Sequence, residues 1–96
     1  MRPLTHGDVA VAANAVRSLP SDARCAEVLR FLDRAHAADL FRKRTGRAHP
    51  FWGDGSLMGA VLKGSPVRAE PFLSDPEHLS ALAVVIETLL DWKHRR

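Results

Sequence analysis

Residues able to do chemistry concentrate in one stretch, Arg42 to Leu62, RKRTGRAHPFWGDGSLMGAVL. Asp54 stands between Gly53 and Gly55, and glycine there permits positive φ or close approach by a ligand. A small enzyme would require Asp54 and His49 to face one pocket. Gly53-Asp54-Gly55-Ser56 is equally what the N-terminus of a following helix needs, and capping is the expected role of Asp54 or Ser56. Cys25 lies near the start of a predicted helix, where the dipole lowers a thiol pKa if solvent reaches it. Its position on the apolar stripe predicts a small core residue instead. The histidines, His6, His36, His49, His78 and His94, never recur as H-x-x-x-H or H-x-H. His36 with Asp33 or Asp39 could contribute ligands on one helix, but a structural histidine is the expectation, so neither a metal nor a cofactor is predicted. No G-x-S-x-G elbow, Walker-type loop or paired carboxylates accompany these residues, and an enzyme is not expected.

Arg42, Lys43, Arg44 and Arg47 crowd the end of the same helix. Cations there gain about 0.3 to 1 kcal/mol each from the helix dipole, and they also attract phosphate. Both roles are open. Phe51 and Trp52 follow closely and could stack on a base or a protein partner. An aromatic just before a capped helix more often locks the turn to the core, the role expected of Trp52, which stays a contact candidate with the four cations. Charge is uneven: residues 1–50 carry nine Lys/Arg against five Asp/Glu, residues 51–96 five against six, within a net +3. The basic half can attract nucleic acid or an acidic partner.

The elements that position these residues read as helices. Thr5 predicts an N-cap with Asp8 in the first turn, and the helix carries Val9, Ala12, Ala13 and Val16 to an end near Leu19. Pro20 breaks it, and Ser21 or Asp22 offers a cap to a longer helix reaching about Arg44. Cys25, Val28, Leu29, Leu32, Ala35 and Leu40 form its predicted stripe, broadened by Phe31, Ala38 and Phe41. The short connection predicts an antiparallel hairpin. Gly46 closes the second helix, His49-Pro50 forces an extended step, and a short helix follows over Leu57 to Leu62. Residues 64–74 read as a surface loop anchored by Val67, Phe72 and Leu73. Ser74-Asp75-Pro76-Glu77 starts the last helix, whose predicted core stripe is Leu79, Leu82, Ala83, Ile86, Leu89 and Leu90, ending near Trp92.

These elements imply a small all-α four-helix domain: the hairpin, a short helix and a C-terminal helix, all in a single domain over 1–96. The apolar content of 46% against 26% charged residues is that of a folding chain. One cysteine excludes an intramolecular disulfide and suits a reducing cytoplasm. No run approaches the roughly 20 apolar residues of a membrane span, so no membrane role is expected.

AADLFRKRTGRAHPFWGDGSLMGAVL also resembles a family of small helical proteins of alphaproteobacteria with the pattern D-x-(aromatic)-R-x-R-T-G-R-x-H-P-x-W-G-D-G-(S/T)-L-M. The matching positions are Asp39, Phe41, Arg42, Arg44 to Arg47, His49, Pro50 and Trp52 to Met58. That family is associated with phage-derived gene-transfer-agent clusters, next to the large terminase. The resemblance implies a small-terminase-like, non-enzymatic adaptor for DNA packaging, a homo-oligomer that binds the large terminase subunit and touches DNA weakly and non-specifically. Unlike many phage small terminases, this chain leaves no room for a separate helix-turn-helix, which favours salt-sensitive phosphate contact over sequence readout. The rival expectation is a helical protein–protein interaction or regulatory module with no nucleic-acid role, in which the cations only end a helix.

Overall fold

The first helix is set by a reciprocal cap. In the computed structural model, which describes residues 1–65 and 69–95, the Thr5 hydroxyl accepts from the Asp8 N–H, and the Asp8 carboxylate accepts from the Thr5 N–H at 2.8 Å. Helix α1 then runs His6–Val16, short of the predicted end at Leu19, and buries Ala12, Ala13 and Val16 completely. Helix α2, Ser21–Thr45, is 25 residues long, about 37 Å at 1.5 Å per residue. Ser21 and Asp22 do not cap it: Pro20 takes the N-cap position, where no side chain bonds the helix. Gly46 ends α2 at φ 75°, donating its N–H to the Arg42 carbonyl at 2.7 Å. Helix α3, Leu57–Gly64, starts at Ser56, and α4, Pro76–His94, at Asp75 with Pro76 in the first turn. Among the described residues the fold is therefore all-α with four helices, the only β pairing being an isolated bridge between His49 and Gly53.

The hairpin partners α1 and α2 touch, but each packs more extensively on α3 and α4. Phe31 and Leu32 of α2, Leu57 and Val61 of α3, Val16 of α1 and Val85 of α4 meet in the core, with Trp92 closing one end.

On two helices the buried stripe differs from the expected one. Helix α2 buries Arg24, Val28, Phe31, Leu32, Ala35, Ala38 and Asp39, leaving Cys25 and Leu40 exposed. Cys25 is thus not a core residue. Its place is taken by Arg24, whose guanidinium donates to the Leu19 and Arg17 carbonyls at 3.1 and 2.8 Å and pairs with Glu77 at 2.6 Å. A residue able to satisfy carbonyls after α1 while pairing with α4 wins this position over a small thiol. Helix α4 buries His78, Ala81, Val85, Thr88 and Trp92, while Leu79, Ala83, Ile86 and Leu90 face outward. Ala81 and Val85 on the buried face allow neighbouring helices to approach closely. The more hydrophobic face is left uncovered. Phe72 and Leu73, expected as anchors, are 86% and 67% exposed, and Val67 lies outside the described residues.

Candidate functional site: a cationic corner

Asp39 organises the corner. Its carboxylate is 2% exposed and meets three cations: the Met1 amino group at 3.0 Å, Arg42 at 2.8 Å and Lys43 at 3.1 Å. The two side-chain pairs follow from i,i+3 and i,i+4 spacing on α2, whereas the amino terminus is brought in from the other end of the chain. The Arg42 hydrogen bond, reinforced by the Met1 amine and Lys43 against the opposing effect of burial, holds the Asp39 carboxyl well below the usual carboxylate range. The Met1 nitrogen also lies 3.4 Å from His36 Nδ1.

Residues 46–53 fold back on themselves. His49 and Gly53 exchange backbone bonds, N–H to carbonyl, at 2.7 and 3.2 Å. His49 Nδ1 accepts from the backbone N–H of Phe51 and Trp52 at 3.1 and 3.2 Å, which assigns the ring proton to Nε2. The imidazole stacks on Trp52 at a centroid distance of 4.6 Å and meets the Phe41 edge at 5.0 Å. Both ring systems are thereby committed to the turn, while Phe51 projects outward, 73% exposed.

The Gly-Asp-Gly turn is a packing device. Gly53 has φ 87°, and a Cβ there would stand 3.0 Å from the Gly59 backbone. Between the glycines, Asp54 Oδ1 accepts from the Ser56 hydroxyl at 2.7 Å and its N–H at 3.1 Å, and Ser56 Oγ accepts from the Gly59 N–H at 3.0 Å. Ser56 is thus the cap and Asp54 orients its hydroxyl. Those Ser56 hydrogen bonds, with Arg2 3.6 Å from the carboxylate, lower the Asp54 pKa despite partial burial.

Asp8 joins the first helix to the third. While Oδ2 closes the α1 cap, Oδ1 accepts from the Met58 N–H at 2.9 Å, satisfying one of the free donors of α3. Asp8→Ala therefore removes acceptors at two helix starts and is expected to cost about 2 kcal/mol, read from the urea midpoint. Asp8→Asn, which keeps one acceptor and turns a donor toward the other N–H, should cost less; equal losses would show that a single acceptor oxygen at this position contributes nothing.

The predicted contact residues divide. Arg42 and Lys43 serve Asp39, though Lys43 remains 64% exposed. Arg44 and Arg47 are exposed and have no side-chain ion pair among the described residues. Trp52 is half-buried, one face covered by His49. Asp54 and His49 do not converge on one pocket: a shallow groove is lined by Ala48, Asp54, Ser56, Met58 and Lys63 without His49. Among the described residues no group of three His, Cys, Asp or Glu side chains is arranged to hold a metal, and no helix is long and apolar enough to cross a membrane. Sequence reasoning overlooked Asp39 as the organising charge, although its spacing to Arg42 and Lys43 was visible. Nothing in the sequence pattern pointed to the Met1 amine as its third partner.

A family described as a domain of unknown function, DUF7742, matches residues 2–89, which include every residue of the corner except Met1. No curated protein and no solved structure matches the chain.

Proposed function

Since this chain belongs to the DUF7742 family, a membership that carries no activity with it, we propose from the corner itself a non-enzymatic adaptor of the DNA-packaging kind, cytoplasmic and oligomeric. The observation that carries the reading is the posture of Arg44 and Arg47. Arg44 stands exposed in the last turn of α2 and Arg47 just past its Gly46 cap, beside Arg42 and Lys43, which pair with Asp39. Phosphate meeting Arg44 and Arg47 would find two uncommitted guanidiniums, the accessible part of Lys43 and the outward Phe51 ring nearby in sequence. The large terminase subunit as protein partner rests on the resemblance of the corner motif. His49, Asp54 and Ser56, which could have supplied catalytic groups, have structural hydrogen bonds here, and this supports a role without chemistry.

A second reading, a protein-interaction module that never meets nucleic acid, is favoured by one observation: Arg42 and Lys43 already neutralise an internal carboxylate. The double substitution Arg44→Glu with Arg47→Glu separates the two. If the corner binds DNA, fluorescence anisotropy should show affinity for arbitrary duplex falling at least about tenfold, and the slope of log affinity against log salt shrinking by about 2 between about 50 and 200 mM. The thermal midpoint should fall only slightly, because neither arginine has an ion pair among the described residues and only the favourable place of a cation at the helix C-terminus is lost. Wild-type protein that shows no salt-sensitive DNA binding would sink the packaging reading in favour of the module. Stimulation of a large terminase ATPase by the wild-type chain is the matching assay for the proposed protein partner.

A further inference from the structure

The outward face of α4 has the geometry of a dimer seam. At about 100° per residue, Leu79, Ala83, Ile86 and Leu90 fall within an arc of about 60°, on the side away from the buried Ala81, Val85, Thr88 and Trp92. Their spacing of four, three and four residues is the d-a-d-a alternation of a heptad seam. All four are exposed, a large apolar stripe for a chain of 96 residues to leave in water. The stripe continues into a groove of about 710 Å³, where Leu82 and Ile86 are joined by Val9, Pro71, Phe72 and Leu73.

Charge selects the occupant. The N-terminal end of α4 carries Asp75 and Glu77, the latter also paired with Arg24, with Glu70 before it; the C-terminal end carries Asp91, Lys93, His94 and Arg95, where Arg95 pairs with Asp91 and Lys93 is left as the excess cation. A helix acidic at its start and basic at its end repels a parallel copy of itself and complements an antiparallel one, and its dipole favours the same arrangement. We propose that α4 pairs with α4 of a second copy of this chain, antiparallel about a two-fold axis. Leu79 then stands opposite Leu90 of the partner subunit and Ala83 opposite Ile86 of the partner subunit. In that register Lys93, which continues the stripe by one turn, arrives beside Asp75 and Glu77 of the partner subunit. The contact is isologous, so it closes at two copies without leaving an open end. The seam alone is short, about 16 Å from Leu79 to Leu90. Phe72 and Leu73 extend it toward the roughly 800 Å² per partner of a stable interface.

This pairing deepens the oligomeric part of the proposed adaptor and is independent of whether the corner meets DNA. Light scattering and cysteine cross-linking test it in the Cys25→Ser background, since Cys25 is exposed and would cross-link on its own. The expected result is a dimer, whose dissociation constant Ile86→Glu raises about 30-fold or more with helicity by circular dichroism unchanged. Leu79→Cys combined with Leu90→Cys should oxidise to a covalent dimer, while each single variant should not, because only the antiparallel register brings the two positions together. A strict monomer at high micromolar concentration would overturn the proposal and leave the stripe to a different protein. Single variants that cross-link as readily as the double one would overturn it as well, by showing a parallel seam. DNA binding measured on the same samples reports separately on Arg44 and Arg47, so the two readings fail independently.

Discussion

Asp39→Ala is expected to lower the stability of the fold by about 3 kcal/mol, the lower end of what breaking a buried charge pair costs. Three cations converge on this carboxylate, itself 2% exposed, and its removal leaves the half-buried Met1 without the counter-ion of its amine. Arg42 and Lys43 are less affected because both reach water. The same carboxylate predicts a pH dependence. Its folded-state pKa is held below the ordinary value by Arg42, the Met1 amine and Lys43. Its stabilising contribution is therefore fully present above the unfolded-state pKa of about 3.9 and is lost as pH falls through the folded value. Urea unfolding of wild type and variant should differ by a constant amount near neutrality and begin to converge below about pH 4. A variant within 1 kcal/mol of wild type at pH 7 would show that the cluster is a surface ion pair rather than the anchor of the N-terminal segment.

The expected loss bears on function, because Asp39 links the amino terminus to the helix that presents Arg44 and Arg47. Substituting it is predicted to weaken DNA contact only through the fold, whereas substituting the two arginines acts on contact without touching the core. Comparing the two variants at equal folded fraction separates a positioning carboxylate from a binding surface.

The local signals in the sequence translated well into backbone and poorly into facing. Thr5 with Asp8, Gly46, Ser56 and Asp75-Pro76 mark helix ends, because a capping side chain acts on backbone groups only a few residues away. The faces of α2 and α4 depended on partners far along the chain. Arg24 is buried because the carbonyls after α1 and Glu77 of α4 surround it, and neither is visible in the periodicity of α2. On α4 the leucines suggested the core, yet the buried side is the one whose Ala81 and Val85 fit between neighbours. The corner shows the same division. The Gly-Asp-Gly turn and the i,i+3 and i,i+4 cations were legible, while the Met1 amine on Asp39 and the Met58 N–H on Asp8 are made only when the chain closes on itself. Of the stripe expected in the core, Leu82 and Leu89 pack against it, while Leu79, Ala83, Ile86 and Leu90 form the surface left uncovered.

Gly55→Ala should be the most damaging alanine substitution among the glycines of positive φ. Gly55 has φ 96°, a region L residues rarely adopt, and a Cβ there would lie 2.8 Å from the Asp39 Cα and 2.9 Å from its Oδ1. The strained backbone costs about 1 to 3 kcal/mol, and the clash with a helix backbone adds a cost of similar size. Relief would push the turn away from α2, straining the bond from the Arg2 N–H to the Gly55 carbonyl, now 3.0 Å, and displacing the carboxylate that holds Met1. A loss of about 3 kcal/mol or more is therefore expected. Gly46→Ala is the control: its φ is 75°, but nothing lies within 4 Å of the added Cβ, so only the backbone cost of about 1 kcal/mol remains. Guanidinium denaturation of the two variants side by side measures the difference. Equal midpoints would mean that the turn does not bear on Asp39 as closely as the 2.8 Å approach requires; a wide separation would place the glycine of the Asp54-Gly55-Ser56 turn against the carboxylate that orients the corner.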